Sequence, residues 1–231
     1  MITFLIPTFN EKENILILIN KINKLKLRFE YNFLFVDDNS NDGTKKELIE
    51  AKNQFKNVNF IIRDKKKRDL TKSILLGISY LNNKYTFILD CDLQHDYKKI
   101  HFILDTAIKE KLDLVIGSRF IKDGQNILMS KRRILESRIA ILLSKFLGIQ
   151  NVYDPLSGFF LIKTNLLTKL KNRIKTRGFK ILLTILYICK KDISFKEVPI
   201  KFNSRKYGYS KLNLRVRFLF IEQVIKLKFK L

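Results

Sequence analysis

Short runs of β-branched and aromatic residues alternate along this chain with longer segments in which apolar residues recur every three or four positions. Side chains in a strand alternate faces every two residues, and those on a helix return to one face about every 3.6, so the alternation is that of parallel strands joined by helices. The runs predict strands over residues 2–6, 32–37, 58–62, 85–90 and 112–117. Ile15, Ile19, Ile22 and Leu25 mark one helical face, and Leu48, Ile49 and Ala51 among charged neighbours mark another. With 231 residues and no internal repeat or low-complexity linker, one α/β domain is expected.

Sheets of this kind bind ligands where the carboxyl ends of strands meet the following loops. The first such end is Pro7-Thr8-Phe9-Asn10-Glu11, where proline is expected to stop the strand and Asn10 to cap a helix that Glu11 enters. The second, Val36 to Thr44, carries Asp37 and Asp38 side by side, suited to holding a base or ribose, although Asp42-Gly43 reads equally as a turn and cap. The third is Leu89-Asp90-Cys91-Asp92-Leu93-Gln94. If its backbone stays extended, Asp90, Asp92 and Gln94 point one way while Cys91 and Leu93 point back to the core. Three oxygen donors on one side suit a hard divalent ion such as Mg2+ or Mn2+, although a strand end with capping aspartates has the same residues. His95 reads as a packing residue or one that supports a neighbouring ligand, more than as a ligand itself. The fourth end, Gly117-Ser118-Arg119-Phe120, brings a planar guanidinium to the same edge.

Past residue 130 the pattern changes. Ser130-Lys131-Arg132-Arg133 opens an amphipathic helix over about 131–147, with Leu135, Ile139, Leu142 and Phe146 on one stripe and Arg133, Ser137, Ala140 and Ser144 on another. A core helix is the commoner explanation of such a stripe, and a helix lying in a membrane interface is the other. A second basic amphipathic segment follows near the C-terminus, where Leu214, Phe218, Ile221 and Ile225 form an apolar face among Arg215, Arg217, Lys226, Lys228 and Lys230, a pattern that favours anionic lipid. No run of about 20 apolar residues is present, so no membrane span is expected, nor a secretory leader.

Lysine and arginine number 46 against 22 acidic residues, a net charge of +24. Such a charge favours phosphate-rich partners or anionic lipid, although a chain so rich in Lys, Asn and Ile also acquires it by compositional bias. The basic residues are dispersed and no base-reading motif appears, so nucleic acid is not an expected partner. The first strand lacks the G-x-G-x-x-G turn of dinucleotide enzymes. Cys91 and Cys189 form neither a disulfide framework nor a zinc site on spacing.

Nine segments in this order resemble the dolichol-phosphate mannose synthases of glycosyltransferase family 2: PTFNEKEN, VDDNSNDGT, DCDLQHD, GSRF, SKRRILES, DPLSGFF, RGFKILL, EVPIKF and RKYGYSKL. The resemblance runs to about Leu212 and implies a GT-A type nucleotide-diphospho-sugar transferase fold over 1–212, followed by a basic helix over 213–231. It implies transfer of mannose from GDP-mannose to dolichyl or polyprenyl phosphate, with a UDP-sugar as the alternative donor. By resemblance, Pro7, Phe9, Glu11, Val36 and Asp38 line the nucleoside pocket, and Asp90, Cys91, Asp92 and Gln94 the diphosphate site. Asp90, Asp92 and Gln94 would hold the metal, and Arg205 and Lys211 would close over the diphosphate. Arg119 would lie between donor and acceptor, and Arg133 and Ser137 would bind the acceptor phosphate. Asp92, Arg119 and Arg133 would be the residues most needed for turnover. The family's membrane spans are missing from this sequence, so attachment at the cytosolic face of a membrane would fall to interfacial helices or an anchoring subunit. Phe9 stands where the family usually has tyrosine, and Thr184 where relatives often carry glutamate.

Overall fold

The computed structural model describes residues 1–64, 68–124, 131–175, 180–189, 192–205, 207 and 214–229, and the side chains of 131–133 and 214–217 lie outside that description. The described residues form a seven-stranded sheet of order β3-β2-β1-β4-β6-β5-β7. Its strands are β1 (Ile2–Thr8), β2 (Tyr31–Asp37), β3 (Val58–Ile62), β4 (Tyr85–Leu89), β5 (Leu114–Ser118), β6 (Phe159–Lys163) and β7 (Phe195–Pro199). Only β6 runs against its neighbours, pairing antiparallel with both β4 and β5.

The five expected strands are present within two residues of their expected ends, and β6 and β7 add to them. Strand β6 is a continuous apolar run, Phe159 to Ile162, buried on both faces. Such a run lacks the alternation that betrays a half-exposed strand. Strand β7 carries Glu197 and Lys196 at the sheet edge, a charged pattern that edge strands use and sequence reading passes over. Pro7 does not stop β1. It pairs in register with Val36, whereas the β4 ladder on the other side ends at Leu5, so the missing amide proton costs no ladder bond there.

Alternation within the strands splits the core between the two faces. Phe4, Ile6, Phe33, Phe35 and Phe87 pack on α1 (Ile15–Asn23), α2 (Thr44–Gln54) and α4 (Ile100–Lys109). Leu5, Leu34, Ile88 and Phe160 point the other way, toward α3 (Leu70–Ile78), α6 (Thr164–Leu170) and α7 (Ile181–Cys189). Leu48 and Ala51 are buried as their spacing predicts, while Ile49 is turned outward. Gly77 of α3 packs on Leu5 and Val36 so closely that a Cβ would press into Leu5, which seats the helix directly on the sheet.

On two helices the larger apolar residues are turned outward, as the interfacial alternative has them and a core helix does not. On α5 (Lys131–Phe146), Leu135, Ile139, Leu142 and Phe146 are exposed, and the small residues Ala140 and Ser144 are buried instead. On α8 (Leu214–Phe229), Phe218, Ile221 and Ile225 are exposed, whereas Gln223, Val224 and Leu227 face the protein. Small side chains let α5 approach its support closely, and the larger apolar residues are left on the far side. Gln223 docks α8 by donating to Thr184 Oγ1 at 2.8 Å and to the Lys180 carbonyl at 3.0 Å. Among the described residues, no helix is long and apolar enough to cross a membrane.

Phe87 lies 5.7 Å from Phe4 and 4.8 Å from Phe159, joining the parallel strands to the reversed one. Phe87→Ala is expected to lower unfolding free energy by about 3–5 kcal/mol, the usual result of emptying an aromatic core position. Urea titration measures it, and a loss below about 1 kcal/mol would show that this ring is not a core element.

Candidate functional site

Six of the seven strands point their carboxyl ends to one edge, and the candidate residues lie there because the chain must leave the sheet at those ends. The loops after β1 and β2 interlock. Asn10 N donates to Ser40 Oγ at 2.8 Å, Glu11 N to Thr44 Oγ1 at 3.0 Å, and Lys12 N to Asp42 Oδ2 at 3.3 Å. Asn10 is therefore a crosslink in left-handed backbone, φ 52°, and not a helix cap. The two neighbouring aspartates divide their tasks. Asp37 caps its own loop, accepting from Ser40 N at 2.8 Å and from Thr8 Oγ1 at 3.2 Å. Asp42 accepts from Thr44 N, so the turn-and-cap reading of Asp42-Gly43 holds. Asp38 is buried against the Arg63 guanidinium and accepts from Asp69 N at 2.6 Å. Burial raises its pKa, and the Asp69 amide and Arg63 charge offset only part of that rise.

The Arg68 guanidinium lies 4.6 Å from the Phe9 ring centroid. Pro7 and Val36, paired across β1 and β2, form the apolar floor.

After β4 the chain leaves extended backbone at once. Leu93 has φ 61°, so strict alternation does not apply beyond Asp92. Strained backbone of that kind costs about 1–3 kcal/mol and gathers at functional loops. Cys91 and Leu93 do join the core, as expected. Asp92 Oδ1 accepts from Gln94 N at 3.2 Å, and Gln94 exchanges two hydrogen bonds with the Asn203 backbone, at 2.8 and 3.0 Å. Gln94 Oε1 is buried with no hydrogen-bond partner among the described residues. Two carboxylates and an unpaired amide oxygen are a donor set that fits a hard divalent cation. Asp90, half-buried, is pushed up by burial, yet the neighbouring His95, Lys180 and Arg205 outweigh that and lower its pKa. Tyr97 goes the opposite way: burial first, then the charges of Asp92 and Asp90, keep its phenol protonated.

Arg205, far along the chain, donates to Asp92 Oδ2 at 2.7 Å and lies 3.7 Å from Glu11 Oε1. It thereby joins the β1 loop to the β4 loop. Arg119 is held by a forked contact, Nε to Asp154 Oδ2 at 2.7 Å and Nη2 to Oδ1 at 2.8 Å, with Phe202 against its face at 5.2 Å. Burial lowers the Arg119 pKa, but the Asp154 carboxylate overcomes this and the net direction is up, so the arginine stays charged. Glu197 of β7 holds Asp154 in turn, accepting from the Tyr153 and Asp154 amides at 2.7 and 2.9 Å.

Glu11, Asp90, Asp92, Gln94 and Arg205 thus converge at this edge, and Arg119, held by Asp154, is near enough for the charges of Asp90 and Asp92 to act on it. Ser137 lies half-buried on α5. The Arg133 side chain and Lys211 lie outside the described residues. Asp154 and Glu197 have no role in the sequence reading, although both stand in the DPLSGFF and EVPIKF segments. Their signal is a carboxylate inside an apolar stretch, which implies a buried counter-charge. Arg63, whose partner is set by the parallel pairing of β3 beside β2, gives no such signal.

Residues 3–171 match the family described as Glycosyl transferase family 2. The dolichol-phosphate mannosyltransferase of Pyrococcus furiosus is 32% identical over 233 residues, covering 98% of this chain and 63% of that protein. That of Mycosarcoma maydis is 30% identical, over 84% of this chain and 65% of that protein. That of Saccharomyces cerevisiae is 29% identical, over 96% and 85%. This chain spans slightly less than two thirds of the first two relatives. Glucosyl-3-phosphoglycerate synthase from Mycobacterium tuberculosis, solved with Mn2+, UDP and glucosyl-3-phosphoglycerate, superposes on 100% of this chain and 79% of its own at a TM-score of 0.73 and 16% identity. The likeness is one of fold, and the mixed sheet flanked by helices is of the GT-A type.

Asp154→Ala strands Arg119 in a buried position without its counter-charge. It is expected to cost about 3–5 kcal/mol of stability, measured by denaturant titration. A loss below about 1 kcal/mol, the range of exposed pairs, would overturn the buried clamp.

Proposed function

We propose that this chain, which belongs to glycosyl transferase family 2, transfers mannose from GDP-mannose to the phosphate of dolichol or a related polyprenol. The observation that carries this reading is the convergence of Glu11, of Asp90, Asp92 and Gln94, and of Arg205 from three distant segments onto one edge. The mannosyltransferase names of the relatives give its direction. Pro7, Phe9, Glu11, Val36 and Asp38 would receive the nucleoside, with the base laid on Phe9. Asp90, Asp92 and Gln94 would hold Mg2+ or Mn2+, and such an ion, when bound, neutralises charge on the diphosphate. Arg205 and Lys211 would turn to the same diphosphate as it departs.

Arg119, Arg133 and Ser137 would seat the acceptor phosphate. Its second ionisation lies near pKa about 6, so an oxygen is already anionic at neutral pH and no general base is required. That oxygen forms a bond to the anomeric carbon as the bond from that carbon to the diphosphate oxygen breaks. Attack from the opposite side inverts the centre and releases GDP. Rate then comes from alignment and charge placement, and the bidentate Asp154 contact fixes Arg119 before substrate arrives.

A lipid acceptor also gives the exposed stripes of α5 and α8 a purpose. Leu142 is 69% and Phe218 68% exposed, and Lys228 Nζ stands 4.2 Å over the Phe146 ring, where the two helices meet. Apolar side chains bordered by lysine and arginine suit an anionic membrane surface, which we propose is the cytosolic face.

Incubation with labelled GDP-mannose, dolichyl phosphate and Mn2+, then organic extraction, is expected to move label into the lipid phase. Label from a UDP-sugar but not from GDP-mannose would reject the mannose assignment. Asp92→Ala and Arg133→Ala should each lower kcat by about 100-fold or more while far-ultraviolet dichroism stays unchanged, and full activity in either would reject its assigned role. Leu142→Glu and Phe218→Glu should each weaken cosedimentation with phosphatidylserine vesicles by about tenfold, since a buried apolar side chain contributes about 1.5–3 kcal/mol. Unchanged partitioning of both would remove the membrane surface from the proposal.

A further inference from the structure

His95 is 4% exposed, and neither of its ring nitrogens has a hydrogen-bond partner among the described residues. Its ring stacks on Phe159 of β6, centroids 4.8 Å apart and planes 17° from parallel, and Phe202 meets it edge-on at 5.9 Å. These two aromatic contacts fix the plane of the imidazole. Held in that plane, Nε2 lies 3.5 Å from Asp90 Oδ2. A packing residue alone would not account for this placement, because a buried N–H that has given up water is costly unless it is paired. A phenyl ring would fill the same space without that cost.

The other side of the carboxylate is equally confined. A Cβ at Gly158 would collide with Asp90 Oδ2 and come 3.2 Å from Oδ1, so residue 158 must be glycine for the carboxyl group to stay where it is. Asp90 therefore sits between the backbone of the Ser157-Gly158 turn and the edge of a braced imidazole. Rotation of the carboxylate by a fraction of an ångström brings Nε2 and Oδ2 into hydrogen-bond range. Contacts of this sort are often long in ligand-free sites and tighten in the complex.

We infer that His95 is a positioning residue: its Nε2–H holds Asp90 Oδ2 and so presents Oδ1 to the divalent cation that binds the donor diphosphate. The inference rests on the metal-dependent reading of this site. A carboxylate ligand with one oxygen tied by a hydrogen bond loses less freedom when a cation arrives, and partners of this kind commonly change metal affinity 10–100-fold. In the neutral imidazole, donation from Nε2 requires the proton on that nitrogen, leaving Nδ1 as the acceptor.

The test compares His95→Phe, which keeps the stack on Phe159, with His95→Gln, which restores an N–H. Mn2+ binding is read by electron paramagnetic resonance of the free ion, with and without GDP, and thermal melting is followed in EDTA. His95→Phe is expected to melt like the wild type in EDTA yet bind Mn2+ at least about tenfold more weakly, with His95→Gln recovering most of that loss. In an Asp90→Asn background, His95→Phe should cause no further loss. Equal Mn2+ affinity in wild type and His95→Phe would overturn the inference alone, as would equal weakening by His95→Phe and His95→Gln. Full additivity with Asp90→Asn would also overturn it. If His95→Phe fails to fold, the comparison of His95→Gln in the wild-type and Asp90→Asn backgrounds decides by the same additivity. A wild-type protein that holds no Mn2+ even with GDP would overturn the inference together with the metal-dependent reading beneath it.

Discussion

Carboxylates crowd the edge where β1, β2, β4 and β5 end, and their repulsion is tolerable only because guanidinium groups are packed among them. Arg63 is buried with Asp38, while Arg119 with Asp154 and Arg205 with Asp92 and Glu11 are largely but not fully buried. Burying a charge costs several kcal/mol, on the order of what a good ion pair returns, so these pairs contribute position more than net stability. The partners come from distant parts of the chain, 113 residues apart for Arg205 and Asp92. Each pair therefore closes a long loop onto the site, and the site exists only when the domain is complete.

The same pairs set what the edge can do. Arg119 is committed to Asp154 by two hydrogen bonds and stays charged, a fixed cation whose position does not depend on ligand. Arg205 donates to Asp92 Oδ2 at 2.7 Å and reaches Glu11 only at 3.7 Å, a looser arrangement on the same carboxylate a divalent ion would use. One arginine is thus built into the scaffold and the other into a contact that a stronger cation can replace. The reversed strand β6 supports both roles, because its first residues bring Gly158 against Asp90 and Phe159 against His95.

Away from that edge, the packing of α5 and α8 follows a different physical rule. Their small or polar residues, Ala140, Ser144 and Gln223, turn inward, and their larger apolar residues turn out. A helix whose hydrophobic stripe faces away from the core has its preferred environment elsewhere, and the lysines and arginines beside those stripes match an anionic surface.

The amino-acid sequence by itself determined the parallel strands and the edge at which chemistry would be found, because strand period and helix period are local properties of neighbouring residues. It also determined which polar residues reach that edge, since Asp38, Asp90 and Arg119 each follow a strand end directly and Asp92 and Gln94 come close behind. Tertiary structure decided the rest. That β6 inserts between β4 and β5, that Asp38 is buried with Arg63, and that Asp154 clamps Arg119 are pairings across tens of residues, invisible to any window of sequence. The bend at Leu93 likewise interrupts simple alternation ahead of Gln94. The direction of the α5 stripe was equally undetermined locally, because the same period describes a helix with its apolar face toward the core and one with that face turned outward. Only the surface against which Ala140 and Ser144 pack selects between them.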